Sequence, residues 1–244
     1  MKKILAVALI AFTTISVAQE SVKLRLNYKK GDVYVIKMNM NQNMSVMSMN
    51  MKMDAKMEVT EIKDDTYISE MQFTKIDMGM LQGGMQMAAS TDDKEEDLDA
   101  MGKQLKGQLD QMLTVTITSV TDELGKVIGT KAEPNLPGME QMTNQTGSVN
   151  YPEKALRVGD SWTEEKTEQG VISKISYTIK SISKDVVEVD LKGDVSGVGT
   201  GDIAGNLKID PNSGVPTSST METNMTVQGQ DMKVKVSVIM EKMK

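Results

Sequence analysis

Methionine recurs at every second position along one stretch of this chain, and that spacing constrains the fold more than any other feature. Met47, Met49, Met51 and Met53 alternate with Ser48, Asn50 and Lys52, and Met57 keeps the phase. Just upstream, Met38, Met40 and Met44 alternate with Asn39 and the Asn41-Gln42-Asn43 stretch. An extended strand turns successive side chains to opposite faces, so each run lays its thioethers along one side. That side is either a hydrophobic face or a row of soft metal ligands.

The first eighteen residues read as a signal peptide. Lys2 and Lys3 precede a mostly apolar stretch from Ile4 to Ile15, and Ser16-Val17-Ala18 supplies small residues for cleavage before Gln19. No later stretch is long and apolar enough to span a bilayer as a helix. An exported, periplasmic or secreted product is therefore expected. It would not be anchored through a lipidated cysteine, because the chain has no cysteine. Its net charge is −6 and becomes more negative once Lys2 and Lys3 are removed. Such a surface repels nucleic acid. Histidine is absent as well. The commonest general base, nucleophile and zinc ligands are thus missing, so no enzymatic role is expected and no catalytic residue is identified. Aromatic residues make up only 3%, too few for a stacking platform. The 23 methionines take over the volume that rings and leucines usually fill.

Two related halves follow the signal: residues 19–130, a linker at 131–150, and residues 151–244. Near the start of each half a Gly-Asp pair precedes an aromatic by two residues, in Lys30-Gly31-Asp32-Val33-Tyr34 and Val158-Gly159-Asp160-Ser161-Trp162. Each half also carries an acidic turn, Asp122-Glu123-Leu124-Gly125 and Asp210-Pro211-Asn212-Ser213-Gly214. This reads as a duplicated β unit. Period-two alternation predicts strands from Tyr34, with a turn near Ser45 to Ser48, then over 47–59 and 66–76. In the second half Ile175, Tyr177 and Ile179 alternate, as do Val187, Val189 and Leu191. The glycines within 195–209 predict a bent or edge strand. A last hairpin turns at Gln228-Gly229-Gln230-Asp231. One segment breaks the pattern: over 93–113 Leu98, Met101, Leu105, Leu109 and Met112 recur every three or four residues, as on an amphipathic helix. Thr91 or Asp92 is its expected N-cap. Residues 79–90, rich in Gly, Met and Gln, are expected to form a loop.

The fold class is therefore mainly β: two similar antiparallel halves forming a curved sheet or open barrel, with one inserted helix. Three readings of the methionines remain open. As packing they would simply fill the interior between layers, shut away from solvent. As a face of adaptable thioethers they would hold an apolar ligand or an envelope protein partner. As soft ligands they would bind copper(I). Met78, Met80, Met85 and Met87 are the metal candidates, because they fall in the expected loop. No metal or cofactor is favoured.

At the second Gly-Asp pair, Tyr151-Pro152-Glu153, Val158-Gly159-Asp160-Ser161-Trp162 and Tyr177-Thr178-Ile179 resemble a family of secreted proteins from Bacteroidota that carries a P…VGDSW strand. The resemblance implies a β-rich fold and a cell-envelope location, and it supplies no activity. A looser likeness is to the half-barrel lipoprotein carriers of the bacterial envelope, which cover a curved sheet with helices.

Overall fold

Wherever methionine or a branched residue alternates with polar side chains, the chain is extended. The structure, a computed structural model, describes residues 20–136, 149–168 and 170–243. The predicted signal peptide and most of the predicted linker lie outside the described residues. In the first half the strands are β1 (Ser21–Val22), β2 (Val33–Met44), β3 (Met47–Lys63), β4 (Thr66–Gln82) and β5 (Met85–Ser90). Helix α1 (Ala100–Leu113) follows, then β6 (Thr116–Asp122) and β7 (Val127–Glu133). The second half contributes β8 (Leu156–Arg157), β9 (Ser161–Glu168), β10 (Val171–Ile182), β11 (Val187–Gly197), β12 (Gly199–Ile209), β13 (Pro216–Val227) and β14 (Gln230–Lys242).

Among the described residues, twelve strands form one antiparallel sheet in the order β7-β6-β4-β3-β2-β14-β13-β12-β11-β10-β9, with β5 also pairing β4. The path has two free ends, so the sheet is curved but not closed into a barrel. Each half is a meander, and the halves join where β2 pairs β14. The small pair β1–β8 lies apart from this sheet.

Four expectations need correction. Residues 79–90 are not a loop: β4 runs on to Gln82 and turns into β5 through Gly83-Gly84. Both glycines have positive φ, +58° and +85°, which a two-residue turn matched to strand twist demands. The glycines mark a hairpin there, not disorder. The region 195–209 is likewise a hairpin, not one bent edge strand, and β12 is paired on both sides. Its glycines serve close approach instead: a Cβ on Gly201 or Gly205 would overlap the Asn224 or Thr220 carbonyl oxygen of β13. The helix starts later than the acidic run implies. Asp99 is the N-cap, its carboxylate accepting from the Gly102 N–H at 2.7 Å. Before it, Glu95–Asp97 form a separate single 3-10 turn, and the residues upstream of that turn are held elsewhere. Thr91 Oγ1 accepts from the Ile76 N–H, and Asp93 accepts from the Ser90 N–H. Both tie that segment to β4 and β5 before a helix can form. Finally, β7 carries on to Glu133, so the connection between halves begins there rather than at residue 131.

The core lies on one face of the sheet, in two clusters. One gathers Ile36, Met53, Phe73, Ile76, Leu109 and Ile117, where α1 packs over β5 and β4. The other gathers Leu24, Tyr151, Leu156, Ile179, Val189 and Leu207 under the second half. Arg25 pins its covering segments together. Its guanidinium donates to the carbonyls of Pro152 and Glu153 at 2.9 and 2.8 Å.

Candidate ligand-binding face

The antiparallel registers carry single rows of side chains across the inner face. Met80 pairs Met87 and Met49, and Met49 pairs Gln42. The row continues through Val234, Thr223 and Ile203 to Ile175 and Glu164. One step along the strands, Met78, Met51 and Met40 line up with Val236 and Met221. One step the other way, Met47 and Met44 line up with Met232 and Met225. Methionines nearly two hundred residues apart thus share one surface.

Burial along that surface is graded. Met53, nearest the helix-covered core, is 7% exposed. Met40, Met44, Met49, Met51, Met80, Met221 and Met232 are only half-buried. The face is apolar without being sealed. Few polar groups interrupt it. Gln42 donates weakly to the sulfurs of Met44 and Met232 at 3.5 and 3.4 Å, and Thr223 is buried. The opposite face of the same strands is polar. Asn50 donates to Asn41 across β2–β3, and Lys233 pairs with Glu222 at 2.6 Å.

The copper(I) candidates Met78, Met80, Met85 and Met87 are not brought together in a loop. They stand on two paired strands. Met78 packs into the helix-side cluster, and Met85 is mostly exposed at the hairpin tip. The premise that a loop would gather four sulfurs round one ion is lost, and nothing supports that reading.

At the β9 edge the inner face becomes more polar. Glu164 accepts from the Asn150 N–H with one oxygen. Its other oxygen, the Asn150 side-chain oxygen and the Trp162 indole N–H are buried without a hydrogen-bond partner. Desolvation pushes the Glu164 carboxyl above the usual carboxylate range. Trp162 stacks on Tyr177 at 5.1 Å, and burial pushes the Tyr177 phenol up as well. Sequence reading named Trp162 as a turn marker only, and missed Glu164 and Asn150. Nothing local distinguishes Glu164 from Glu165 except strand phase.

The two Gly-Asp turns are built alike. Gly31 N–H donates to Val59 O at 2.8 Å, Val59 N–H to Asp32 O at 2.9 Å, and Lys29 N–H to the Asp32 carboxylate at 3.0 Å. In the second half Gly159 donates to Ile179 O at 2.8 Å, Ile179 to Asp160 O at 2.9 Å, and Arg157 N–H to the Asp160 carboxylate at 2.9 Å. Gly31 and Gly159 take φ +85° and +89°. Each turn closes a strand end below the methionine rows.

No family model matches the chain, and no curated protein matches it. The resemblance to the secreted Bacteroidota family therefore rests on short turn motifs alone. Among solved structures the chain is similar to lipovitellin, in a structure described as showing lipid–protein interactions in that protein. The TM-score is 0.55 at 11% identity, over 88% of this chain and 25% of the lipovitellin chain. At that identity the likeness shows a shared fold alone, and the chain spans about a quarter of its neighbour's length. Among the described residues no helix is long and apolar enough to cross a membrane.

Proposed function

We propose that this chain is a non-catalytic binder of an apolar, lipid-like ligand, exported to the cell envelope and holding its cargo against the methionine rows. The observation that carries this reading is the graded burial of those rows. A sealed face would be plain core, whereas half-buried thioethers leave apolar surface for a guest. Unbranched, polarizable methionine adapts to irregular or varied apolar shapes. The likeness to lipovitellin, whose structure is described in terms of lipid interactions, supports the same direction. In this reading the halves descend from one duplicated unit, supported by the matched Gly-Asp turns.

Native mass spectrometry of the protein as purified tests the idea, followed by titration of the delipidated protein with a fluorescent fatty acid. Binding is expected in wild type and is expected to be lost in Met49→Lys/Met232→Lys, which puts two charges on the face. Absence of any lipid mass and of any fatty-acid binding would overturn the reading. So would equal binding by the double variant.

A further inference from the structure

The two ends of the sheet differ in charge, in a way that packing does not require. Five hairpins turn at one end: four through Ser45-Val46, Gly83-Gly84, Val198 and Gln228-Gly229, and a fifth, β9–β10, at the sheet edge beside Val198, where Glu168 pairs with Val171. In the first four of these turns no residue is charged, and neither is any residue directly flanking them, whereas Glu168 flanks the fifth. At the other end the turns contain Asp64-Asp65, Glu123, Lys184-Asp185 and Asp210. The registers place the four uncharged turns along one continuous rim, since Met44 pairs both Met47 and Met232, Met47 pairs Gln82, and Gly199 pairs Val227.

That rim is also apolar and exposed. Val46 is 67% exposed, Met85 61%, Val198 56% and Leu81 48%. Exposed Ile62, Val158 and Met243 at the charged end differ in kind: each adjoins a charged residue, Lys63, Arg157 or Lys242. Around Val46, Leu81, Met85 and Val198 the chain neighbours are Ser, Gly, Gln or Met. Of the charges close behind the rim, Asp231 accepts from Thr226 Oγ1 at 2.7 Å, and Glu168 closes β9 at the sheet edge. Beads of aliphatic side chain without charge cost little to insert among lipid head groups, whereas each charge carried in would oppose insertion. Directly behind the rim the last inner row, Met47, Met44, Met232 and Met225, leads onto the methionine face with no charged side chain between.

We propose that this uncharged rim docks on the surface of a lipid bilayer, with Val46, Leu81, Met85 and Val198 entering the interface. The methionine face then opens toward the membrane, and, resting on the ligand reading above, its cargo passes without crossing a polar belt. The four uncharged turns carry no cation, so a neutral bilayer suffices and anionic lipid gives no advantage on a protein of net charge −6.

Flotation of the purified protein with phosphatidylcholine vesicles tests this. Wild type is expected to float, equally at about 0.1 M and about 0.5 M salt, because screening weakens only charge-driven contacts. The variant Val46→Asp/Met85→Asp/Val198→Asp alters exposed tips, so circular dichroism is expected to be unchanged while vesicle binding falls roughly tenfold or more. The variant Ile62→Asp/Val158→Asp at the other end is expected to float like wild type. Failure of wild type to float, or flotation of the rim variant at the wild-type level, would overturn the proposal. So would a rim variant whose only change is from dimer to monomer in sedimentation, which would assign the rim to a second copy. The two readings separate cleanly. The rim variant is expected to keep fatty-acid binding in free solution. Flotation without any fatty-acid binding would sink the ligand reading and leave the rim standing.

Discussion

Methionines that look equivalent in sequence occupy unequal surroundings. Met53 lies against Ile36, Phe73 and Ile76 in a closed cluster, while Met49 two residues away is half-buried and Met85 is exposed. Mild peroxide should oxidise Met85 first and Met53 last, read by peptide mass spectrometry with circular dichroism unchanged. Sulfoxide at Met53 as fast as at Met85 would mean that the inner cluster is open. Met53→Ala should cost about 2–5 kcal/mol in urea unfolding, and Met51→Ala less, because its surface is only partly withdrawn from water. Glu164 behaves in the opposite sense to a stabilising residue. Its carboxyl is raised chiefly by desolvation, against the Asn150 N–H and Lys166, which lower it. A raised acid contributes stability below its unfolded pKa and loses it as pH rises through the folded value. Glu164→Gln, which keeps an acceptor for Asn150, should therefore raise the urea midpoint at neutral pH and lose that advantage in acid. A midpoint that falls at neutral pH would show that the carboxylate charge is needed.

Local devices stop and start the elements. Helix α1 is short, and its first turn depends on the Asp99 carboxylate, so Asp99→Ala should lower stability by about 1 kcal/mol in thermal unfolding. Unchanged stability would mean that packing of Leu105 and Leu109 alone holds the helix. Turns at the charged end are equally specific. Asp210 accepts from the Asn212 N–H at 2.9 Å and from the Ser213 hydroxyl at 2.7 Å. Burial alone would raise its carboxyl, yet these hydrogen bonds hold it below the usual range. Gly214 follows at φ +64°, and a Cβ there would overlap the Arg25 carbonyl oxygen. Gly214→Ala should then destabilise by more than about 1 kcal/mol, measured by urea unfolding, since both the conformation and the contact resist a side chain. An Ala variant as stable as wild type would show that the N-terminal segment can yield.

At the scale of the molecule, the pairing of β2 with β14 decides whether there are two units or one. It joins the first long strand to the last, and it carries Met40, Met44 and Met232 onto a common face. Ending the chain at Val227 would bare the ladder edges of both β2 and β13, a ready template for association. The truncated protein is expected to be insoluble or to lose cooperative unfolding, read by solubility and circular dichroism. A soluble product in which residues 151–227 still unfold cooperatively would show that the second half stands alone. The free strands β7 and β9 at the two ends of the path are shorter than the central strands they flank, which limits the edge the intact sheet exposes.

Strand identity was legible because alternation is a local property. Period two at Met47 to Met57 fixes a one-sided strand whatever it pairs with, and Asp64-Asp65 and Gln228-Gly229 announce turns through their tolerance of positive φ. The amphipathic helix was visible for the same reason. Its start was not, because Thr91 and Asp93 are claimed by β4 and β5, partners that only folding supplies. The glycines of 79–90 and 195–209 were misread since one residue type serves both loose loops and close-packed hairpins, and only the neighbouring strand distinguishes them. Which methionines are sealed, that Glu164 is desolvated, and that uncharged turns collect on one rim were all decided by tertiary structure. Each is set by pairings between distant strands, and no local pattern encodes the register of a partner so far away in the chain.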